Sequence, residues 1–204
     1  MKSVLMPALA VMTLGVTSTP SVAQVSNDVV KIGVLGDMSG LYADGFSGPG
    51  AVAAVKMAVE DFGGTVLGKK IEVIFADHQN KPDIGLAIAR QWIDVEHVDL
   101  FAEITNSAVA LGVQELASSR KTLTLATGPG TVDLTGKACT KYGIHYGYNT
   151  YALAAGTAAA TVKDGGDTWY ILTSDYAFGH ALERDTRNVV TRMGGKVVGS
   201  ARVP

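Results

Sequence analysis

The sequence is poor in the residues that metal, redox and disulfide chemistry require. Its single cysteine, Cys139, excludes an internal disulfide and any cysteine-rich zinc module. We expect that thiol to be buried and unpaired, the alternative being a partner outside the sequence. The four histidines, His78, His97, His145 and His180, are scattered with no second ligand at metal spacing, so no metal or cofactor site is expected. Charge is sparse and balanced: Lys+Arg 17 against Asp+Glu 19 gives a net charge of −2. Nothing resembles the basic stripe that nucleic acid demands. Beyond the first two dozen residues no apolar run approaches the roughly 20 residues of a membrane span.

Enzyme signatures are missing as well. Residues 63–70 (GGTVLGKK) have the glycine and lysine spacing of a phosphate loop, but Lys70 stands where Ser or Thr should hold magnesium. The stretch also joins helix to strand instead of strand to helix, so it reads as a plain turn. Gly33, Gly36 and Gly40 do not make the dinucleotide fingerprint. Ser174, Asp175 and His180 include hydrolytic residue types, yet no G-x-S-x-G elbow surrounds the serine. No catalytic residue is assigned.

What is present begins with an address. Lys2 is followed by an apolar stretch at 4–16, and Ser21, Val22 and Ala23 supply small residues for a cut after Ala23. Residues 1–23 thus read as an export signal. An uncleaved anchor is the alternative, although the stretch is about a dozen residues where roughly 20 are needed.

Thereafter strand and helix patterns alternate. Residues 31–37 are a nearly unbroken apolar run ending in Gly and Asp, as in a buried parallel strand that opens into a loop. A helix at 50–62, stopped by Gly63 and Gly64, leads to a strand at 71–76. The unit recurs with helices at 82–96 and 107–119 and strands at 100–104 and 122–126. After a Gly-, Pro- and Thr-rich stretch come an extended piece at 143–148, helices at 151–162 and 181–193, and strands at 168–173 and 196–203. This order predicts an α/β fold of Rossmann-like parallel sheets with helices on both faces. Residues 24–146 read as an N-terminal lobe and 147–204 as the start of a second, incomplete lobe. Residues 146–149 are the expected first crossing, or else an ordinary edge strand. The chain is therefore expected to be part of a longer protein.

Ligands of such sheets bind at the C-terminal strand ends. The polar loops there contain Asp37 to Gly40, Thr105-Asn106-Ser107, Thr127 to Thr131 and Ser174 to Phe178. Ser107 opens a helix, where free N–H groups and the dipole favour a carboxylate. It is either an anion ligand or an N-cap, and taken alone the cap is the commoner role. The turn at Gly128 and Gly130 leaves backbone open to close approach, or is a simple loop. Three charge-assisted hydrogen bonds of ~1.5–3 kcal/mol each would suit micromolar capture of a carboxylate.

Several stretches together carry a resemblance: 32–40 (IGVLGDMSG), the helix at 48–60, 67–73 (LGKKIEV), 105–108 (TNSA) and 175–179 (DYAFG). With them the chain resembles the leucine/isoleucine/valine-binding family of periplasmic ABC-importer receptors. The resemblance implies a type I periplasmic-binding fold, two lobes around a three-stranded hinge that close on a small carboxylate. It also implies a periplasmic location and a permease and ATPase complex in the inner membrane as partner. By residue matching, Ser107, beside Asn106, and the backbone at Gly128 and Gly130 take the ligand carboxylate. The second-lobe loop contributes Asp175, Tyr176 and Phe178. Amino-acid binders of the family usually have tyrosine before the glycine of that loop, where this chain has Phe178 before Gly179. Residues 106–111 (NSAVAL), 133–137 (DLTGK), 166–170 (GDTWY) and 175–180 (DYAFGH) are more similar to a subgroup that binds aromatic carboxylates such as hydroxybenzoates. Tyr42, Tyr148 and Tyr176 would then stack on or cap a ring. A ligand sensor of the same fold and an exported α/β hydrolase are the competing functions.

Overall fold

The computed structural model describes residues 27–45 and 47–204, so the export signal and the cut after Ala23 fall outside it. Strand β1 (Val29–Gly36) lies at the centre of a six-stranded sheet. It pairs in parallel with β3 (Lys69–Asp77) on one side and β4 (Leu100–Glu103) on the other. Beyond β4 come β5 (Leu123–Ala126) and β6 (Gly143–His145), also parallel. The far edge is the two-residue β2 (Thr65–Val66), antiparallel to β3. The stretch expected to be a plain turn is thus a small hairpin. Its corner, Leu67 and Gly68, has φ of 51° and 74°, and two successive positive angles suit the twist of a two-residue hairpin.

The two-residue period of the strands sorts their side chains between two helical layers. Val34 and Ala102 face α1 (Gly48–Asp61) through Val52. Leu35 and Phe101 face α2 (Pro82–Asp94) and α3 (Ser107–Ser119), meeting Ala89, Trp92, Val109 and Val113. Trp92 and Phe101 stack with ring centres 5.9 Å apart. Because both faces are covered, β1 can be apolar on both sides.

A second, two-stranded parallel sheet pairs β7 (Thr168–Ser174) with β8 (Lys196–Val203). Helices α4 (Thr150–Lys163) and α5 (Ala177–Arg192) cover one face through Ala154, Ala158, Val189 and Val190. Helix α5 starts four residues before the expected position, because Gly179 in its first turn disguises the start in the sequence. Cys139 is exposed, contrary to expectation. Its N–H closes a tight turn on the Gly136 carbonyl at 3.1 Å, just after the 3-10 turn Val132–Leu134, and this keeps the thiol at the surface. Among the described residues no helix is long and apolar enough to cross a membrane.

Candidate ligand-binding site

The chain crosses from β3 over β1 to β4, so strand order reverses beside β1, and the loops leaving the C-terminal ends there border a crevice. The loop after β1 is folded by Asp37, fully buried, whose carboxylate accepts the N–H groups of Gly40 at 2.7 Å and Tyr42 at 2.9 Å. That brings Tyr42 to the crevice.

The β4–α3 loop is strained. Glu103, Ile104 and Asn106 have φ of 74°, 55° and 73°, a region that non-glycine and above all β-branched residues avoid. Burial of Ile104 in the core and its N–H bond to the Leu35 carbonyl at 3.0 Å oppose that strain. Asn106 does the same: its Oδ1 accepts from the N–H of Ala108 at 2.8 Å and of Val109 at 3.3 Å, and its Nδ2 donates to Asn80 Oδ1 at 2.5 Å. The helix cap is therefore Asn106, so of the two roles open to Ser107 the cap is ruled out. Ser107 is the first helical residue, buried, and its Oγ accepts the Thr131 N–H at 3.2 Å. With that lone pair used, the hydroxyl keeps its proton for another acceptor. Among the described residues nothing accepts from the N–H of Ser107 or of Gly130.

The β5 loop passes so close to aromatic rings that only glycine fits. A Cβ on Gly130 would lie 2.7 Å from both the Phe178 and Tyr148 rings. Tyr148 donates to the Gly128 carbonyl at 3.3 Å, and His145 Nε2 meets the Pro129 carbonyl at 2.7 Å. From the second sheet, Tyr176 and Phe178 stack on each other, centres 6.1 Å apart. The hydroxyls of Tyr42 and Tyr176 meet at 2.8 Å across the crevice. Thr150, buried at the start of α4, stitches the two halves: its N–H donates to the Gly130 carbonyl at 2.7 Å and its hydroxyl to Asp185 at 2.6 Å.

Tyr42, Asn106, Ser107, Gly128, Gly130, Tyr148, Tyr176 and Phe178 come together around one cavity of about 180 Å³, joined by Thr105 and Pro129. Asp175 is not among them. It lines a neighbouring cleft of about 320 Å³ and pairs with His180 at 2.7 Å. Among the described residues no charged side chain lines the inner cavity. Burial raises the pKa of Tyr176, and its bond to Tyr42 adds to this; burial likewise raises that of Tyr148. Both phenols are neutral at physiological pH.

Two contributors escaped the sequence. Glu103, at 7% exposure, lies just behind the cavity and takes the hydroxyls of Thr105 and of Thr127, the latter at 2.6 Å. His78 is fully buried behind the Thr105 loop; its Nδ1 accepts the Asn80 N–H at 3.1 Å and among the described residues its Nε2 has no partner at hydrogen-bond distance. Burial lowers its pKa, against the pull of Asp37 and Asp77. Neither Glu103 nor His78 left a local signal, whereas Asp37, in a loop the sequence marked out, did so through the Asp and Ser spacing of a side-chain-closed turn. Among the described residues no cluster of His, Cys, Asp or Glu could hold a metal ion.

A family model for periplasmic binding proteins matches residues 29–204. The chain is similar to a periplasmic binding protein of Burkholderia mallei, with a TM-score of 0.84 and 54% identity over 87% of this chain and 47% of that one. It is also similar to an ABC-transporter solute-binding protein of Rhodopseudomonas palustris BisB5, solved in complex with 3,4-dihydroxybenzoic acid. There the TM-score is 0.76 and the identity 27%, over 87% and 48% of the respective chains. A Leu/Ile/Val-binding protein homologue of Brucella abortus is 25% identical over the whole chain and 50% of its own length. The chain thus spans about half the length of the curated relatives it matches. The matched region runs through every strand and helix of both sheets, and this chain, of type I fold, belongs to the periplasmic binding protein family.

Proposed function

We propose that the chain captures a small carboxylate, an aromatic acid in preference to a branched-chain amino acid, as the solute-binding component of an ABC importer. The carrying observation is the composition of the cavity wall. Ser107 has a hydroxyl proton free to donate beside unpaired N–H groups, four aromatic rings surround the space, and among the described residues no charged side chain lines it. A carboxylate is met by the donors, and a ring by Tyr42, Tyr148, Tyr176 and Phe178. An α-amino acid would bring an ammonium group that finds no carboxylate among the described residues of this wall, and Phe178 supplies no hydroxyl for it. The dihydroxybenzoic acid held by the Rhodopseudomonas relative supports the same preference.

In this reading Ser107, Gly128 and Gly130, with Asn106 fixing the helix start, hold the carboxylate in the first lobe, residues 24–146. The second lobe, from 147, closes over the ring, residues 146–149 being the first crossing. The protein is exported, its leader cut after Ala23, and it hands its ligand to a permease and ATPase complex in the inner membrane. It binds without catalysing. A thermal-shift screen of amino acids against benzoates and phenylpropanoids tests this, since a ligand of the native state raises the melting temperature. We expect shifts with aromatic acids. A shift with leucine and none with any aromatic acid would overturn the preference.

A further inference from the structure

Thr105 and Ser107, which both line the cavity, carry hydroxyls of opposite polarity. Ser107 Oγ accepts the Thr131 N–H, which leaves its proton free to donate. Thr105 is the reverse: its Oγ1 donates to one oxygen of Glu103. Thr127 donates to the other oxygen at 2.6 Å, so neither carboxylate oxygen lacks a hydroxyl. A carboxylate only accepts, so the Thr105 proton is committed to it. Glu103 is buried and not part of the wall. It is pressed against Gly128, where an added Cβ would lie 2.4 Å from its Oε1 and 3.0 Å from Thr105 Oγ1. Thr105 does line the cavity. What it offers there is lone pairs alone.

We infer that Thr105, its proton held by Glu103, is a specificity-determining acceptor that selects acids carrying a hydroxyl donor besides the carboxylate. Glu103 is the positioning residue that fixes this polarity. The inference rests on the cavity being a carboxylate receptor. A hydroxyl on the ligand donates to Thr105. A methoxy group sets an oxygen lone pair against the lone pairs of Thr105, and an unsubstituted ring leaves the buried acceptor unpaired; both lose affinity.

The test is calorimetric titration of the full chain with benzoate, 3-hydroxybenzoate, 4-hydroxybenzoate and 4-methoxybenzoate, with benzamide as the neutral control. We expect one hydroxybenzoate to bind about tenfold tighter than benzoate and the methoxy acid. Thr105→Val should reduce the ratio of that hydroxybenzoate's affinity to benzoate's by about tenfold, while Thr105→Ser keeps the preference. Equal affinity of benzoate and both hydroxybenzoates in the unsubstituted protein overturns the inference, whether or not Thr105→Val folds. So does a Thr105→Val variant that weakens benzoate as much as the hydroxy acid. Benzamide binding as tightly as benzoate overturns the carboxylate reading, and the inference falls with it.

Discussion

The two sheets of this chain face the same cavity but are built differently. The first is covered on both faces, with Phe101, Leu35 and Ile104 fully buried between its helical layers. The second is covered on one face only, and its other face presents Tyr170 at 63%, Leu172 at 68% and Val198 at 55% exposure. Parallel strands ordinarily bury both faces. The polar half of the site, at Thr105, Asn106, Ser107 and Gly130, therefore stands on the well-packed sheet, where strained backbone can be held in place. The second sheet contributes rings, Tyr176 and Phe178, whose contacts are shape and surface more than direction.

The sharpest way to break this comparison is to cut an equivalent apolar side chain from each sheet. Phe101→Ala should cost about 3–5 kcal/mol in urea denaturation, whereas Leu172→Ser should change stability by no more than about 0.5 kcal/mol. Equal losses would mean the sheets are not differently supported. Next in size is the stitch between them. Thr150→Val removes the donor to Asp185 and the acceptor for the Val132 N–H at 3.2 Å, and should cost about 1–3 kcal/mol.

The strained loop offers a smaller and more pointed contrast. Asn106→Ala loses the cap and puts a side chain without a local hydrogen bond at positive φ, a loss of about 1–2 kcal/mol. Asn106→Gly, permissive at that angle, should cost only about a few tenths of a kcal/mol. If the glycine variant were the less stable one, backbone strain would not be what Asn106 relieves.

Last is a pH effect from His78. Its folded pKa is depressed below the ordinary 6.5, so above that value neither state is protonated and this group adds no pH dependence. As pH falls below it, the unfolded chain takes a proton that the folded chain refuses, and stability drops until the folded pKa is reached. The urea midpoint should therefore fall with acidification below pH 6.5, and fall less in His78→Gln. Identical slopes in both would remove His78 from the account.

Much of the architecture was legible because it is periodic. Helix α3 at Ser107–Ser119 and strand β8 at Lys196–Val203 coincide with their apolar patterns, and the alternation of elements alone implied parallel sheets. What was not legible depends on backbone angle or on distant neighbours. Asn and Ser are both good caps, and only the φ of 73° at Asn106 decides between them. The exposure of Cys139 follows from a tight turn that composition does not reveal. Glu103 gains its role from Thr127, 24 residues away on the adjacent strand's loop, a pairing that sheet order creates and no local spacing announces. The loops that meet at the cavity were predictable as polar loops at strand ends; the polarity of each hydroxyl within them was not.

The central claim is that Ser107 donates to a ligand carboxylate from the first lobe. The most direct measurement is calorimetric titration of benzoate into the full chain and its Ser107→Ala variant, with the urea midpoint of each as the control for folding. The account predicts a loss of about 1–3 kcal/mol in binding with the midpoint retained. Unchanged affinity in a folded variant would contradict it.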